Sequence, residues 1–475
     1  MENHRFGLTI LATSIGFVLV QLDVSIINVA LASIGAGLHT GTTGLQWVVD
    51  AYVLTFAALL LSTAALGDRI GPRRMFIAGL ATFTAASVLC GLAPTPATLI
   101  VARILQGAGA AALVPCSLAL LSRTCGNDLA LRAWGVGWWT AAGSVGLAAG
   151  PLLGGLMVDT IGWRGIFLVN LPIGLAGILL TRRAVTPIPG TETKLDWPGQ
   201  ILAITSLLPL TAAVIEASTW SYLLILIATL SLTAFIATER RHAHPMLPLD
   251  FFRQRTFSGA TAVGFLLNMT LYGCIFVLSL YFQQTRHWSA AASGIAFLPL
   301  PITLGIANIL ANRIGTKLGT PAAMTTGLLL AAIGTASLVG LDATTPYAWI
   351  IPGLTLIPAG IGITVPLMTA ALLGSVPQPQ SGVASGVLNA VRQAGGAIGV
   401  ALFGSLALQH TFVLAATLLT TAAVIAAALI RTAKPAQQPA GKPTWPHPIS
   451  RPHKEIPPCT RSPNPPSYTS ARPSY

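Results

Sequence analysis

Long apolar runs recur along nearly the whole chain, and they restrict its possible folds more than any other feature. A run of about 20 apolar residues matches the hydrocarbon thickness of a bilayer when it forms a helix. Only 8% of the 475 residues are Asp, Glu, Lys or Arg, 53% are hydrophobic, and the mean hydropathy is +0.73. This composition excludes a disordered chain and disfavours a soluble enzyme. We therefore expect an all-α polytopic membrane protein.

Fourteen segments are long and apolar enough to be predicted as spans. Glycine and proline occur inside them, which membrane helices tolerate. The first segment carries Asp23 and Asn28, so we interpret it as a retained span and not as a cleavable signal peptide. The predicted spans are 8–30, 46–66, 75–93, 97–121, 134–158, 164–181, 197–216, 220–238, 257–281, 289–311, 322–341, 348–372, 384–406 and 410–430.

The basic residues of the loops are distributed unevenly between the two sides of the membrane. If the N-terminus is cytoplasmic, fifteen fall in cytoplasmic segments and only Arg164 and Arg286 on the other side. Such asymmetry places both termini in the cytoplasm of a multi-pass cell-membrane protein. It also explains the net charge of +13, so no nucleic-acid partner is expected. The fifteen are Arg5, Arg69, Arg73, Arg74, Arg123, Arg132, Arg182, Arg183, Lys194, Arg240, Arg241, Arg253, Arg255, Arg313 and Lys317.

Two loops of similar sequence suggest an internal repeat. Residues 67–74 and 312–317 share the pattern polar-Arg-Ile-Gly-x-basic, and each follows the second span of a six-span block. Two such blocks would enclose a substrate path near the membrane midplane. The inserted pair of helices between them is expected to be peripheral. The predicted parts are an N-terminal six-helix bundle (1–183), a linker with two extra helices (184–256), a C-terminal six-helix bundle (257–431) and a disordered Pro-rich cytoplasmic tail (432–475).

Five motifs follow one another along the chain, each on the span where one known family carries it. They lie at 22–31, 68–74, 103–111, 146–155 and 162–172. Together they resemble the major facilitator superfamily, and more closely its fourteen-span drug:proton antiporter branch. The pattern departs from the family at Ala32, Ala64 and Pro72. The resemblance covers roughly residues 8–430 and implies the major facilitator fold, with two six-helix bundles plus two inserted helices.

The resemblance also implies a function, namely export of small lipophilic or amphipathic compounds such as drugs and antibiotics by proton antiport. No Walker-type loop occurs, so we expect a carrier driven by the proton gradient without a cofactor. The five cysteines show no metal or disulfide spacing, and no nucleophile–base pair indicates an enzyme. A monomer is the family expectation. A symporter, a narrow metabolite exporter and a non-transporting receptor remain as alternatives.

Three ionisable residues are candidates for proton coupling: Asp23, Asp50 and Arg103. Asp23 lies inside an apolar helix, where an ionisable residue indicates function; the alternative is a fixed hydrogen bond to Ser25 or Asn28. Asp50 lies near the outer end of its span, where it either receives protons or is simply solvated. Arg103 needs a partner inside the membrane, and Asp23 is a candidate; the alternatives are a static ion pair or a side chain that reaches the interface. The resemblance implies that Arg103 takes part in proton transfer.

Two motifs are candidates for a conformational switch. The cytoplasmic loop motif, with its acid Asp68, can form a charge latch that breaks on switching, although its arginines also serve as membrane anchors. The glycines of the fifth span form a smooth strip, which serves either as a hinge and seal or as plain close packing. The predicted switch residues are Asp68, Arg69, Gly71, Arg73 and Arg74 in the loop and Gly146, Gly150, Pro151, Gly154 and Gly155 in the span.

Polar and aromatic residues within the spans are candidates for lining a substrate cavity. For Arg392, the alternative is that its side chain snorkels to the cytoplasmic edge of the membrane. For Trp138, the alternative is the aromatic belt at the interface. The predicted cavity residues are Asn28, Gln106, Trp138, Asn268, Tyr272, Asn389, Arg392 and Gln393.

Overall fold

A computed structural model describes residues 2–430 except 126–127, 188, 191–195, 217–218, 242–246 and 378–379. The predictions for the Pro-rich tail and for Lys194 lie outside these residues. The described part of the chain contains sixteen α-helices and no strand. The helices are α1 (Glu2–Leu38), α2 (Thr42–Ile70), α3 (Pro72–Gly91), α4 (Pro96–Thr124), α5 (Leu129–Ile161), α6 (Gly165–Leu168), α7 (Asn170–Ala184), α8 (Trp197–Glu216), α9 (Ser221–Arg241), α10 (Arg255–Leu280), α11 (Ala290–Ala296), α12 (Pro299–Leu318), α13 (Thr320–Ala336), α14 (Ile351–Gly374), α15 (Ser381–Ser405) and α16 (Leu408–Leu429).

The helices match the all-α membrane protein expected from the apolar runs. Within the described residues, thirteen helical segments are long and apolar enough to cross a membrane. Two of these segments, corresponding to the predicted spans at 164–181 and 289–311, are each built from two helices in series, α6–α7 and α11–α12. The predicted span at 322–341 corresponds to α13, an apolar helix of 17 residues that is shorter than the thirteen segments.

Helix contacts in the first part of the chain recur in the second. Helix α1 packs against α4, α5 and α7, and α10 packs in the same way against α14, α15 and α16. Helix α4 also contacts α2 and α3, as α14 contacts α12 and α13. The contact between α3 and α7 has its counterpart between α13 and α16. The fold is therefore two six-helix bundles of the same internal arrangement.

The loops that suggested the repeat correspond in a different register from the one predicted. Gly71 joins α2 to α3 with φ 96°, and Gly319 joins α12 to α13 with φ 82°. A positive φ favours glycine because it lacks a Cβ atom, which makes Gly319 the structural counterpart of Gly71. The predicted counterpart, Gly315, lies inside α12. By this register Asp68 corresponds to Thr316 and not to Asn312, so the second loop carries no acid at that place.

The inserted helices are less peripheral than predicted, because α8 contacts both bundles. It packs against α2 of the first bundle and α15 of the second. Gln200 donates a hydrogen bond to the Ala58 carbonyl at 2.7 Å, and the Ser62 hydroxyl contacts the Gln200 side chain. At the other end of α8, Trp47 Nε1 donates to Glu216 at 2.8 Å. Helix α9 lies outside α8, and only 11% of its most apolar stretch is buried.

Candidate transport site

The most elaborate polar cluster of the first bundle joins Asp23 on α1 to Arg103 and Gln106 on α4. Arg103 Nη1 donates to Asp23 Oδ2 at 2.5 Å and to Gln106 Oε1 at 2.8 Å. Gln106 Nε2 donates to Asp23 Oδ1 at 2.7 Å, so both carboxylate oxygens are occupied. All three side chains are at most 1% exposed. The sequence prediction that Asp23 partners Arg103 is confirmed.

Neighbouring helices hold the Arg103 guanidinium in place. Its Nε donates to the Val48 carbonyl of α2 at 3.0 Å, and its Cζ lies 4.3 Å from the centre of the Tyr52 ring. An aromatic face stabilises a cation at this distance. Gln106 also donates to Ser87 on α3 at 2.9 Å, and Asn170 on α7 donates to the same hydroxyl at 3.3 Å. The ion pair between α1 and α4 is thus connected to three other helices of its bundle, α2, α3 and α7.

Sequence reasoning missed Tyr52, Ser87 and Asn170 as parts of this cluster. Each is a polar group on an apolar helix, which was the available signal. Their helical positions alone do not show that three different helices point them at one place, because that depends on how the bundle packs.

Asp50 is buried on α2 and has no partner in the described structure. Its exposure is 0%, and neither carboxylate oxygen makes a hydrogen bond. The interpretation of Asp50 as a solvated residue at the outer mouth is therefore wrong. Gln46, one helical turn earlier, donates to the Ala401 carbonyl of α15 at 2.7 Å. Since residues four apart share a helix face, Asp50 lies on the side of α2 that meets the second bundle.

Two adjoining hollows lie between the bundles and share Val24, Asn28 and Tyr272 as lining residues. The smaller, of about 320 Å³ including space open to solvent, reaches Arg103 and Tyr52. The larger, of about 580 Å³ including space open to solvent, extends between α1, α5, α10 and α12. Its lining is apolar except for three residues: Val24, Ser25, Asn28, Val29, Leu147, Pro151, Leu271, Tyr272, Ile275, Phe297, Leu300, Pro301 and Leu304. We call the two hollows together the central cavity.

Arg392 lies near the middle of α15 and contacts α10. Its Nε donates to Asn268 Oδ1 at 3.2 Å, so the side chain is held inside the bundle. The alternative that it snorkels to the membrane edge is therefore wrong for this conformation. Tyr272, one turn after Asn268, is close enough to interact with it electrostatically. Asn389 and Gln393 are half-buried beside it, and Asn389 donates to the Ser385 carbonyl at 3.1 Å.

Of the eight predicted cavity residues, Asn28 and Tyr272 line the central cavity and the other six do not. Gln106 belongs to the buried Asp23 cluster and does not line the central cavity. Trp138 is 57% exposed on α5, and its ring packs edge-on against Trp134 with centroids 6.0 Å apart. This places Trp138 at the surface of the bundle, as an interface aromatic would be.

Two charged side chains of the loop motif between α2 and α3 form contacts with the first bundle. Asp68 accepts a hydrogen bond from Arg123 on α4 at 3.0 Å, with both side chains partly exposed. Arg73 donates to the Arg182 carbonyl at the end of α7 at 2.7 Å. Arg69 and Arg74 are exposed. Arg123 was counted in the loop charge but was not recognised as the partner of Asp68.

The glycine strip of α5 serves two different contacts. A Cβ atom at Gly154 would lie 2.6 Å from Ile26 of α1, and one at Gly146 would lie 3.0 Å from the Val18 carbonyl. Gly150 likewise faces Ser25. Gly155 instead faces Ala290 and Ala291 of α11, and the Pro151 carbonyl lies against Gly294. The strip therefore packs α5 against α1 within its bundle and also contacts α11 of the second bundle.

The two bundles meet at the end of the molecule that carries the α1–α2 loop. Asp159, near the end of α5, accepts a hydrogen bond from the Ala291 amide at 3.0 Å. Gln46 joins α2 to α15 at the same end, and the Ser279 hydroxyl of α10 contacts the Asn28 carbonyl. We call this set of contacts the bundle seal.

Comparison with known proteins identifies the class of molecule. Residues 13–400 match the Major Facilitator Superfamily. The chain is 40% identical to the methylenomycin A resistance protein of Streptomyces coelicolor, over 84% of this chain and 85% of that protein. It is 39% identical to the drug efflux pump JefA of Mycobacterium tuberculosis, over 85% of this chain and 80% of the pump.

A solved structure supports the same fold. A crystal structure of a POT family transporter in complex with a thioalcohol-conjugated peptide superposes with a TM-score of 0.70 at 17% identity, covering 88% of this chain and 95% of that one. At this identity the likeness concerns the fold alone. From the family match, the chain belongs to the Major Facilitator Superfamily.

Proposed function

We propose that the protein is a proton-coupled antiporter that exports small lipophilic or amphipathic compounds by alternating access. The buried Asp23–Arg103 ion pair beside a largely apolar cavity supports this proposal most directly. Relatives named for antibiotic resistance and drug efflux support the export of drug-like compounds. An apolar cavity with few polar groups suits such molecules.

Proton binding at Asp23 would change the charge of the whole cluster. In the present arrangement Asp23 and Arg103 neutralise each other. A proton on Asp23 would leave Arg103 as an uncompensated buried cation, which is costly inside a membrane protein. Because Arg103 lines the smaller hollow, the guanidinium can then reorganise toward the cavity. Protonation is thereby linked to the shape and charge of the substrate path.

Asp50 is proposed as the second proton carrier. An ionised carboxylate that is buried with neither oxygen hydrogen bonded costs several kcal/mol, so the neutral acid suits this site. Its position on the face of α2 that meets α15 means that separating the bundles would expose it to water. Asp50 would then exchange its proton in one conformation and keep it in the other.

The bundle seal and the loop motif would govern alternating access. With both termini cytoplasmic, the α1–α2 end is the outer end, so the present conformation is closed to the outside. Opening it requires α5 to leave α11 and α2 to tilt from α15. The Asp68–Arg123 pair would then act as a latch that is rearranged on switching. One chain contains the whole path, so a monomer suffices.

The test is proton movement in inside-out membrane vesicles energised to form a pH gradient. The vesicles are challenged with lipophilic cations, anions and neutral antibiotics, and the native chain is compared with Asp23→Asn. Asparagine keeps an oxygen acceptor for Arg103 but cannot carry a proton. We expect a substrate-dependent collapse of the gradient with the native chain and none with the variant.

A matched control is Asp159→Asn, which also replaces a carboxylate by an amide on the same bundle but keeps an oxygen to accept from the Ala291 amide. It is expected to retain coupled export. Substrate-driven proton release that is the same in Asp23→Asn and the native chain would remove Asp23 from the mechanism. Proton movement of the opposite sign would indicate a symporter.

A further inference from the structure

We infer that Arg392 is a subsite for an anionic group, so that this transporter favours substrates with one acidic group on an apolar body. The inference rests on the proposed export function and goes further by naming the charge of the substrate. Two observations support it: the contacts that Arg392 makes, and the shortage of acidic residues in the second bundle.

Arg392 has no acidic partner available in its own bundle. Between Arg255 and Ile430 the sequence contains a single acidic residue, Asp342, which lies in the loop between α13 and α14. The hydrogen bond that the guanidinium makes to a side chain goes to the neutral amide of Asn268. An arginine in the middle of a membrane helix is costly unless an anion or water compensates it.

The acids of the first bundle do not compensate Arg392 either. Asp23 is engaged by Arg103 and Gln106 through both oxygens. Asp50 makes no hydrogen bond with either oxygen. The region between the bundles therefore carries a net positive charge at Arg392, which opposes a cationic substrate and attracts an anionic one.

Arg392 does not line either hollow in this conformation, but it lies one helical turn from a residue that does. Gly396, one helical turn further along α15, lines the smaller hollow, and Tyr272 lines both hollows. The stem of Arg392 lies across Gly264 of α10, where a Cβ atom would come within 3.1 Å of Arg392 Cγ. Unlike the fully buried Arg103, Arg392 is only half-buried.

The guanidinium of Arg392 offers an anion hydrogen-bond donors in addition to its positive charge. With Nε held by Asn268, the two terminal nitrogens of the guanidinium remain to donate to a carboxylate, a sulfonate or an ionised phenol in parallel. Asn389 and Gln393 lie on the same half-buried side of α15 and can add amide donors. The apolar lining of the larger hollow would receive the rest of the molecule.

The test compares two fluorescent probes that differ by one charged group. The probes are 8-anilinonaphthalene-1-sulfonate, an anion, and N-phenyl-1-naphthylamine, which has the same ring system without the sulfonate. Binding is titrated with the full chain in lipid nanodiscs, with empty nanodiscs subtracted, and no ion gradient is imposed. Tryptophan-to-probe energy transfer restricts the signal to probe bound at the protein.

We expect Arg392→Gln to raise the Kd of the anionic probe at least tenfold and that of the neutral probe less than twofold. Arg392→Lys should bind the anion with intermediate affinity, because it keeps the charge without the paired donors. The control Arg241→Gln removes an exposed arginine at the end of α9 and should change neither Kd. Thermal unfolding of each variant identifies loss of structure.

Three results would overturn the inference: no saturable binding of the anionic probe to the native chain, unchanged anion affinity in both Arg392 variants, or equal weakening of the two probes by Arg392→Gln. The proposed function is tested separately, because binding needs no proton gradient. Coupled export in vesicles with no charge preference in this assay would remove the anion subsite and leave the antiporter. Charge-selective binding in this assay without coupled export in vesicles would keep the anion subsite and reject the antiporter.

Discussion

At the scale of single residues, Asp23 and Arg103 are buried charges that depend on each other. Asp23 is engaged through both oxygens by Arg103 and Gln106, and Arg103 is engaged through Nε by the α2 backbone and through Nη1 by Asp23 and Gln106. Removing one member of such a pair costs more than removing both, because a lone buried charge remains.

We therefore expect Arg103→Gln to lower the free energy of unfolding by about 3–5 kcal/mol, and the double variant Arg103→Gln/Asp23→Asn to recover most of that loss. Unfolding in detergent, followed by circular dichroism, completes the double-mutant cycle. Equal losses that simply add in the double variant would show that the two charges are not coupled.

Asp50 differs from Asp23 because it has no hydrogen-bond partner among the described residues. An amide is nearly isosteric with a protonated carboxyl group, so Asp50→Asn should unfold within about 0.5 kcal/mol of the native chain. If Asp50 carries a proton, the pH profile of export should lose one titration step in this variant. The profile is measured in vesicles across pH 5–9. An unaltered profile would restrict proton coupling to Asp23.

At the scale of helices, close contact between α1 and α5 depends on the glycine strip. A side chain at Gly154 has no room beside Ile26, whereas a Cβ atom at Gly137 on the same helix meets nothing within 4 Å. The same substitution at these two positions therefore separates packing from helix propensity.

We expect Gly154→Val to destabilise the protein by about 1–3 kcal/mol, the range for an overpacked contact. Gly137→Val is the matched control and should stay within about 0.5 kcal/mol of the native chain. Thermal unfolding in detergent measures both. Similar melting of the two variants would mean that α1 and α5 can move apart at little cost.

Helix α8 contacts both bundles, and Gln200 at one end of α8 attaches it to α2 of the first bundle. Replacing Gln200 by Ala removes the hydrogen bond to the Ala58 carbonyl and the contact with Ser62. A loss of about 1–2 kcal/mol of local stability is expected, because a buried hydrogen bond is worth about that much. Faster amide hydrogen exchange confined to α8 and α9 would report it. Thr229→Ala on exposed α9 is the control, and unchanged exchange in Gln200→Ala would contradict the docking.

At the scale of the whole molecule, the proposed transport cycle requires the bundle seal to open. Asp159 of α5 and Ala291 of α11 lie across that seal, in contact with each other. Joining them by a short link should therefore hold the molecule in the present conformation.

We expect the double variant Asp159→Cys/Ala291→Cys to stop exporting when a short bifunctional thiol reagent is added, while probe binding persists. The four described native cysteines are buried. In all variants of this experiment Cys459 is also changed to serine, so that it does not react with the reagent. Each single cysteine variant is the control and should continue to export after treatment. Full export by the linked double variant would show that α5 and α11 need not separate.

The sequence by itself determined the class of fold, because apolar runs of about 20 residues with few charges match membrane-spanning helices, whose backbone groups hydrogen bond within the segment. It also identified Asp23 and Arg103, since charges are so rare in these helices that each stands out. Motifs at the loops and on the fifth span placed the chain in its family for the same reason. They are local patterns, readable without knowing which helices touch.

Only the tertiary structure decided which of the singled-out residues share a site. Helix packing joined Ser87, Asn170 and Tyr52 to the ion pair, buried Asp50 without a partner, and held Arg392 against Asn268 inside the bundle. It also set the register of the internal repeat through the positive φ of Gly319 and placed α8 across both bundles. A linear pattern gives the face and depth of a side chain. Its partner is decided by which helix lies opposite, and that is a property of the packed bundles.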